Sequence, residues 1–245
     1  MTEPRAGQAP APHAAFEPAV TLVLEASTYR ASVACISRGV TVAEREVATG
    51  RSEHEHLTPA VAAVLDEAGI GVSSLARVVC GAGPGSFTSL RIAAALGKGL
   101  ASGLRGGGPR LASIGSLPLI VAGAAERLAP GLYLASIDAL RGERHAALVM
   151  LERSDDGTVI RVVPSGEARR LPDQAVSEWA RAAGATMIGP GCAVDAWPVA
   201  RGVVRLWDAI RDVDLESWEP DYGRLAEAEA RRVALGAKTA SPGVD

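Results

Sequence analysis

The stretch from Val78 to Gly103, VVCGAGPGSFTSLRIAAALGKGLASG, constrains this chain more than any other. Val78-Val79-Cys80 is an apolar run of strand length. The turn after it carries Gly81, Gly83 and Gly85, which allow close backbone approach. Pro84 fixes its own φ and drives Gly83 out of the α region. Ser86 or Thr88 can cap the helix that follows, and Gly103 supplies a stop. A buried strand, a sharp turn and a helix in succession belong to an α/β protein.

That helix carries little polarity. At 100° per residue, Thr88, Arg91, Ala95, Lys98 and Ser102 share one narrow polar stripe. Phe87, Leu90, Ala94, Gly97 and Ala101 form one flank, and Ile92, Leu96, Gly99 and Leu100 the other. Such a helix is buried on more than one side. Two arrangements satisfy this: a central helix inside one domain, or a helix packed on its own sheet and on a partner protein. The turn is not a phosphate loop of a known kind. Gly97-Lys98-Gly99 lacks the hydroxyl of a Walker A, and the third glycine of a dinucleotide fingerprint is misplaced. An anion at the helix N-terminus stays open, although Pro84 removes one amide.

Before this stretch, the pattern predicts strands over 21–26, 31–37 and 40–48, joined by hairpin turns, and a helix over 55–68 with Leu57, Val61, Val64, Leu65 and Ala68 on one face. After it come a strand at 110–114, a helix at 116–127 and a hairpin of strands 132–139 and 144–151. A strand at 158–163, a helix at 173–183 and a strand at 185–188 follow. The Ala/Pro-rich opening has no apolar core of a signal peptide and reads as a tail over 1–19. The longest uncharged run, Leu111 to Ala125, is short for a membrane span and contains Pro118, so a soluble cytoplasmic protein with no membrane partner is expected. Net charge is −3, which argues against this chain alone as a strong nucleic-acid binder. Cys35, Cys80 and Cys192 are odd in number and far apart, which suits a reducing compartment and gives no zinc site.

The run GPGSFTSLRIAAALGKGLA, and with it Gly83, Pro84, Gly85, Ser86, Phe87, Thr88 and Arg91, closely resembles the GPGSFTGLRIG signature of the bacterial TsaB (YeaZ) family. IDALRGERHAALV resembles that family's IDARxGEVY hairpin, and EPDYGRLAEAEAR its C-terminal segment, with Asp221 and Gly223 departing from it. The resemblance implies two actin-like ATPase (RNase H-like) α/β domains, the second smaller and degenerate, over 20–110 and 111–236. The last helix would pack back on the first domain, with a tail over 237–245. It also implies a non-catalytic subunit in threonylcarbamoyladenosine modification of tRNA. Such a subunit pairs with TsaD, works with TsaE, forms a homodimer when TsaD is absent, and meets tRNA through the complex. ATP and a divalent metal are used by the complex, and no cofactor is expected on this chain alone. The family's helix-mediated dimer would place the partner surface on Leu57, Val61, Leu90, Ala94, Gly97 and Ala101.

Candidate site residues are sparse. Actin-like ATPases use an acid at the end of the first strand and hydroxyls in the next turn, where family members read I-D-T-S. Here the positions are Glu25, Ala26, Ser27 and Thr28, a degenerate nucleotide site. The catalytic relative TsaD holds its metal with N-H-x-x-x-H, and the matching positions here are Ser116 and Ile120. Isoleucine has no donor atom, so no metal and no catalytic residue are expected. His54 and His56 are spaced i, i+2 and point apart on a helix. His145 reads as a strand histidine, Gly189-Pro190-Gly191 as a turn, and Asp138, Arg141, Glu143 and Arg144 as a solvated hairpin tip. An active ATPase or small-molecule kinase, and a glycoprotease-type metallopeptidase, are the alternatives on the same fold.

Overall fold

The structure is a computed structural model that describes residues 19–49, 56–103, 107–154, 157 and 160–222. Strands β1 (Val20–Glu25), β2 (Arg30–Ser37) and β3 (Val40–Ala48) form an antiparallel meander. Helix α1 (Leu57–Glu67) leads to β4 (Leu75–Gly81), which joins β1 in parallel. Helix α2 (Phe87–Ser102) returns the chain to β5 (Arg110–Ile114), parallel to β4. Helix α3 (Ser116–Ala124) then crosses to a second sheet, entered by β6 (Gly131–Leu140) and β7 (Glu143–Arg153). Strands β8 (Ile160–Pro164) and β9 (Arg169–Pro172) pair with opposite halves of β7. Helix α4 (Asp173–Ala183) precedes β10 (Thr186–Ile188), which lies parallel to β6. Finally β11 (Arg211–Asp212) returns to the first sheet, whose order is β11-β5-β4-β1-β2-β3.

The sheets alternate with helical layers, and the strand period of two explains how. In the first sheet Leu22, Leu24, Val78 and Cys80 pack with Leu57, Val61 and Val64 of α1 and Ala93 of α2. Their neighbours Val23 and Val79, with Ala112 and Ile114, face the other way into a cluster shared with α3 and with Ile137, Val149 and Ile188 of the second sheet. Seven of the nine residues of α3 are buried, because a sheet lies on each side of it. Leu134 and Ala146 cover the outer face of the second sheet with Val176 and Ala180 of α4.

Two expectations need correction. The strand at 110–114, assigned above to the second half, pairs with β4 in the first sheet, so the first sheet continues past residue 110. A boundary there cuts a parallel ladder. The expected partner surface is also mostly core. Leu57, Val61, Leu90, Ala94 and Gly97 are all buried within the chain, and Ala101 packs on the same cluster. The inward flank of α2 is therefore the Leu90–Ala94–Gly97 flank. Its small residues let α2 sit close on its own sheet: a Cβ on Gly97 would meet Cys80 Sγ at 2.4 Å. The outward face carries Thr88, Arg91, Ile92, Ala95, Gly99 and Ser102. The start of the expected helix at Glu55, the start of the strand at Thr158 and everything after Tyr222, including the expected last helix, lie outside the described residues.

The two glycines of α2 separate these faces in a stability measurement. At Gly99 a Cβ has nothing within 4 Å. Gly99→Ala should therefore raise stability by about 0.5–1 kcal/mol, the helix-propensity gain. At Gly97 the same gain is opposed by overpacking of roughly 1–3 kcal/mol. Denaturant unfolding should show Gly97→Ala destabilised and Gly99→Ala stabilised; equal effects would contradict the assigned orientation of α2.

A candidate site in the cleft between the sheets

A cleft of about 280 Å³ opens where the β1–β2 turn, the start of α2 and the β6–β7 hairpin meet. Ser27, Thr28 and Tyr29 form one wall, and Gly85, Ser86, Phe87 and Thr88 a second. Ile137 to Leu140, His145 and Arg170 come from the second sheet, with Pro190, Trp197 and Tyr222 at the rim. The motif turn makes the first two walls touch. Ser86 N donates to Ser27 O at 2.7 Å, and a Cβ on Gly85 would lie 2.2 Å from that oxygen. Gly83 has φ of +85°, and a Cβ there would meet Asp221 O at 2.1 Å. Asp221 N in turn donates to Ala82 O. The chain after β11 thus lies across the turn, and its Tyr222 ring packs on Phe87 with centroids 4.6 Å apart. Ser86 occupies the N-cap position of α2, but its hydroxyl donates to Ser89 Oγ at 3.1 Å and not to the helix backbone. Arg91, on the outer face, lies over the Phe87 ring at 5.2 Å.

Glu25 sits behind the cleft, not in it. It is fully buried at the end of β1. Its Oε1 accepts from Ser27 N at 2.6 Å and its Oε2 from Ser116 Oγ at 2.8 Å. Ser116 Oγ also accepts from Gly83 N at 3.2 Å, and Ser116 N donates to Gly83 O. One carboxyl therefore ties β1, the glycine turn and the first residue of α3. The absence of a side chain on Gly81 makes room for it, since a Cβ there would lie 2.1 Å from Oε2. Burial pushes this carboxyl above its ordinary pKa, against the opposing hydrogen bonds from Ser27 and Ser116. Thr28 Oγ1 is occupied by Arg30 in both directions.

A family model described as TsaD, tRNA N6-adenosine threonylcarbamoyltransferase, matches residues 46–147. The tRNA threonylcarbamoyladenosine biosynthesis protein TsaB of Haemophilus influenzae is 32% identical over 138 residues, which are 56% of this chain and 57% of that protein. The protein of the same description from Bacillus subtilis is 25% identical over 232 residues, covering 86% of this chain and 96% of its own length. A solved structure described as an uncharacterized protein with similarity to peptidase YEAZ, from Pseudomonas aeruginosa, superposes with a TM-score of 0.68 at 25% identity, over 84% of this chain and all of that one. The resemblance read from the glycine turn is borne out. The chain is similar to the TsaB (YeaZ) proteins over most of its length. Its fold is the actin-like one, and YeaZ from the same organism shares that fold with a TM-score of 0.64 at 23% identity, over 82% of this chain and 98% of that one.

Within that family fold, the residues here do not fit a magnesium nucleotide. Both oxygens of Glu25 already accept hydrogen bonds in the interior, and Ala26 has no hydroxyl. In the second hairpin Asp138 Oδ1 accepts from Leu140 N, and Glu143 pairs with Arg170. Arg144 is turned to Ser136 and to Pro190 O, so the charged hairpin tip brings no two free carboxylates together. At the positions of the catalytic relative's metal ligands, the Ser116 hydroxyl is spent on Glu25 and Gly83, and Ile120 is buried core. His56 is an exposed N-cap of α1, His54 lies outside the described residues, and His145 is buried on β7 beside the cleft. Among the described residues no three His, Cys, Asp or Glu side chains converge on a metal position. Sequence reasoning missed Tyr29, Trp197, Tyr222 and Arg170 as cleft residues. An aromatic residue in the first hairpin turn was the available signal, whereas Arg170 is brought in only by the unexpected strand β9.

The pH dependence of stability follows from Glu25. In the unfolded chain its carboxyl loses its proton near the ordinary carboxylate value, and in the folded chain only above it. Between the two values the folded state holds the extra proton, so the stability contribution of Glu25 is full at acid pH and is lost as pH rises. Glu25→Gln removes that titration. Unfolding measured from pH 4 to pH 8 should show the variant gaining stability relative to the parent as pH increases; a constant difference would mean Glu25 is not shifted upward.

Proposed function

We propose that this chain is a subunit without catalytic activity of its own in the machinery that forms threonylcarbamoyladenosine on tRNA. It pairs with TsaD and works with TsaE in the cytoplasm. The names of its curated relatives support this pathway, and a TsaD family model overlies its β3–β7 region. No helix among the described residues is long and apolar enough to cross a membrane. The carrying observation is the outer face of α2, where Ile92 is 36% exposed and Ala95 and Gly99 leave the backbone open to close approach. Nothing in the described chain covers that face, and a second helix can lie against it without a side chain between the backbones. The same face serves a homodimer when TsaD is absent. ATP and the divalent metal belong to the assembled complex, and tRNA meets this acidic chain through its partner.

The orientation of α2 makes this testable with two substitutions of the same kind. Gly99→Arg places a long cation on the outer face, where the monomer has room. It should keep at least the parental melting temperature and weaken binding to TsaD by about 1–3 kcal/mol, roughly fivefold to 150-fold in Kd. Ala94→Arg forces a charge into the core and should unfold the monomer. Titration of each variant with purified TsaD, beside a thermal melt, decides the matter. A folded Gly99→Arg protein that binds TsaD at parental affinity moves the partner surface elsewhere. ATP turnover by the purified chain would instead favour the kinase reading.

A further inference from the structure

A second cavity, of about 220 Å³, lies between strands β2 and β3, the end of α3 and the segment that leads to Arg201. Trp197 lines both this cavity and the cleft. Three guanidiniums line the second cavity: Arg30 at the start of β2, Arg127 just after α3, and Arg201. The carboxylates of Glu46 and Asp195 line it with them, so its formal charge is +1, three arginines against two acids. Each arginine is only partly used. Arg30 pairs through Nε with Glu46 Oε2 at 2.5 Å and lies over the Trp197 ring at 5.8 Å. Arg127 donates from Nη2 to Asp195 O at 2.7 Å. Arg201 donates from Nη1 to both oxygens of Glu44, each at 3.1 Å. A guanidinium carries five N–H groups on its three nitrogens. Both terminal nitrogens of Arg30, Nε and Nη1 of Arg127, and Nε and Nη2 of Arg201 thus make no hydrogen bond among the described residues.

Acceptors are fewer. Asp195 Oδ1 accepts from Gly191 N at 3.0 Å, which leaves Oδ2, and Glu46 Oε1 stands 3.8 Å from Arg201 Nη1. A cavity with more donors than acceptors suits an anion. A carboxylate offers two oxygens in one plane, whereas a phosphate offers four in a tetrahedron and can meet three planar guanidiniums that come from different directions. The cavity lies below the size of sites for drug-sized ligands, and Arg30 already covers a face of its one aromatic ring, Trp197. The guest is therefore small and carries no base to stack. The two acids narrow the choice further. At neutral pH inorganic phosphate keeps a proton and sulfate has none. Glu46 or Asp195 can accept a hydrogen bond from that P–OH group, but they meet only repulsion from a sulfate oxygen. We propose that this cavity binds inorganic phosphate, its oxygens on Arg30, Arg127 and Arg201 and its hydroxyl on Glu46 or Asp195, and that the two acids exclude sulfate. This does not rest on the partner role proposed above and is measured without TsaD.

The probes are inorganic phosphate and sulfate, each titrated calorimetrically into the purified full chain. Chloride holds the ionic strength constant, because charges at an open cavity are screened by salt. One phosphate per chain should bind with a submillimolar Kd, and sulfate should bind at least tenfold more weakly. Arg127 is exposed, so Arg127→Gln should keep the parental melting temperature, yet it should weaken phosphate at least tenfold. Arg127→Lys keeps the charge without the planar array of donors and should recover only part of that loss. The double variant Glu46→Gln, Asp195→Asn makes both acceptors neutral amides. It should bind sulfate more tightly than the parent does, until the two anions bind alike. A gain in affinity cannot come from damaged folding, so this arm decides even where a single variant loses stability. No saturation at millimolar phosphate, sulfate bound by the parent as tightly as phosphate, parental phosphate affinity in Arg127→Gln, or an unchanged preference in the double variant would each overturn the proposal.

Discussion

The buried carboxyl of Glu25 ties together three pieces of chain at one point in the interior. The end of β1, the glycine turn before α2 and the start of α3 each contribute one polar group to it, through Ser27 N, through Gly83 by way of Ser116, and through Ser116 itself. Burying a carboxyl is unfavourable unless its oxygens are satisfied, and here each accepts one hydrogen bond. Removal of any partner leaves the others unpaired in the interior, so the three segments hold one arrangement. Cys80 shows how dry this region is, since burial beside Glu25 pushes its thiol pKa up to about 12.

The cleft is a consequence of that arrangement. With Gly83 and Gly85 fixed against Asp221 and Ser27, the N-terminus of α2 is carried to the β1–β2 turn. The β6–β7 hairpin, held by a turn in which Leu140, Arg141 and Gly142 all have positive φ, closes the opposite side. In an actin-like fold this is the space for a nucleotide and its metal. Here the acid is buried and bonded to Ser27 and Ser116, and the cleft is lined by hydroxyls, aromatic rings, Asp138, His145 and Arg170. One architecture can host different chemistries, and the residues at the site decide among them.

Much of this was legible in the sequence. The hairpins at 21–48 and 132–151, the two helices and the motif turn follow from period, glycine and turn chemistry, and the resemblance to the TsaB (YeaZ) proteins follows from the length of the motif. The side of α2 that faces inward was not legible. Both flanks are small and apolar, and the choice is made by Cys80 and Leu111, which approach Gly97 only after the sheet has formed. The sheet that receives β5 was equally hidden, because a parallel crossover leaves no local mark on either strand. Strands β9 and β11 are four and two residues long, too short for alternation to register. Glu25 was correctly singled out as a departure from the family's aspartate, but its burial depends on Ser116, ninety-one positions away.

The two faces of α2 differ in what they pack on. The inner face spends its small residues on contact with the first sheet, and that contact fixes the helix N-terminus at the cleft. The outer face has the same kind of residues, and among the described residues nothing lies within 4 Å of a Cβ at Gly99. Arg91, the one cation on that face within the motif, is held over Phe87. Phe87 lines the cleft and carries Tyr222. Phe87 therefore stands between Arg91 on the outer face and the cleft wall.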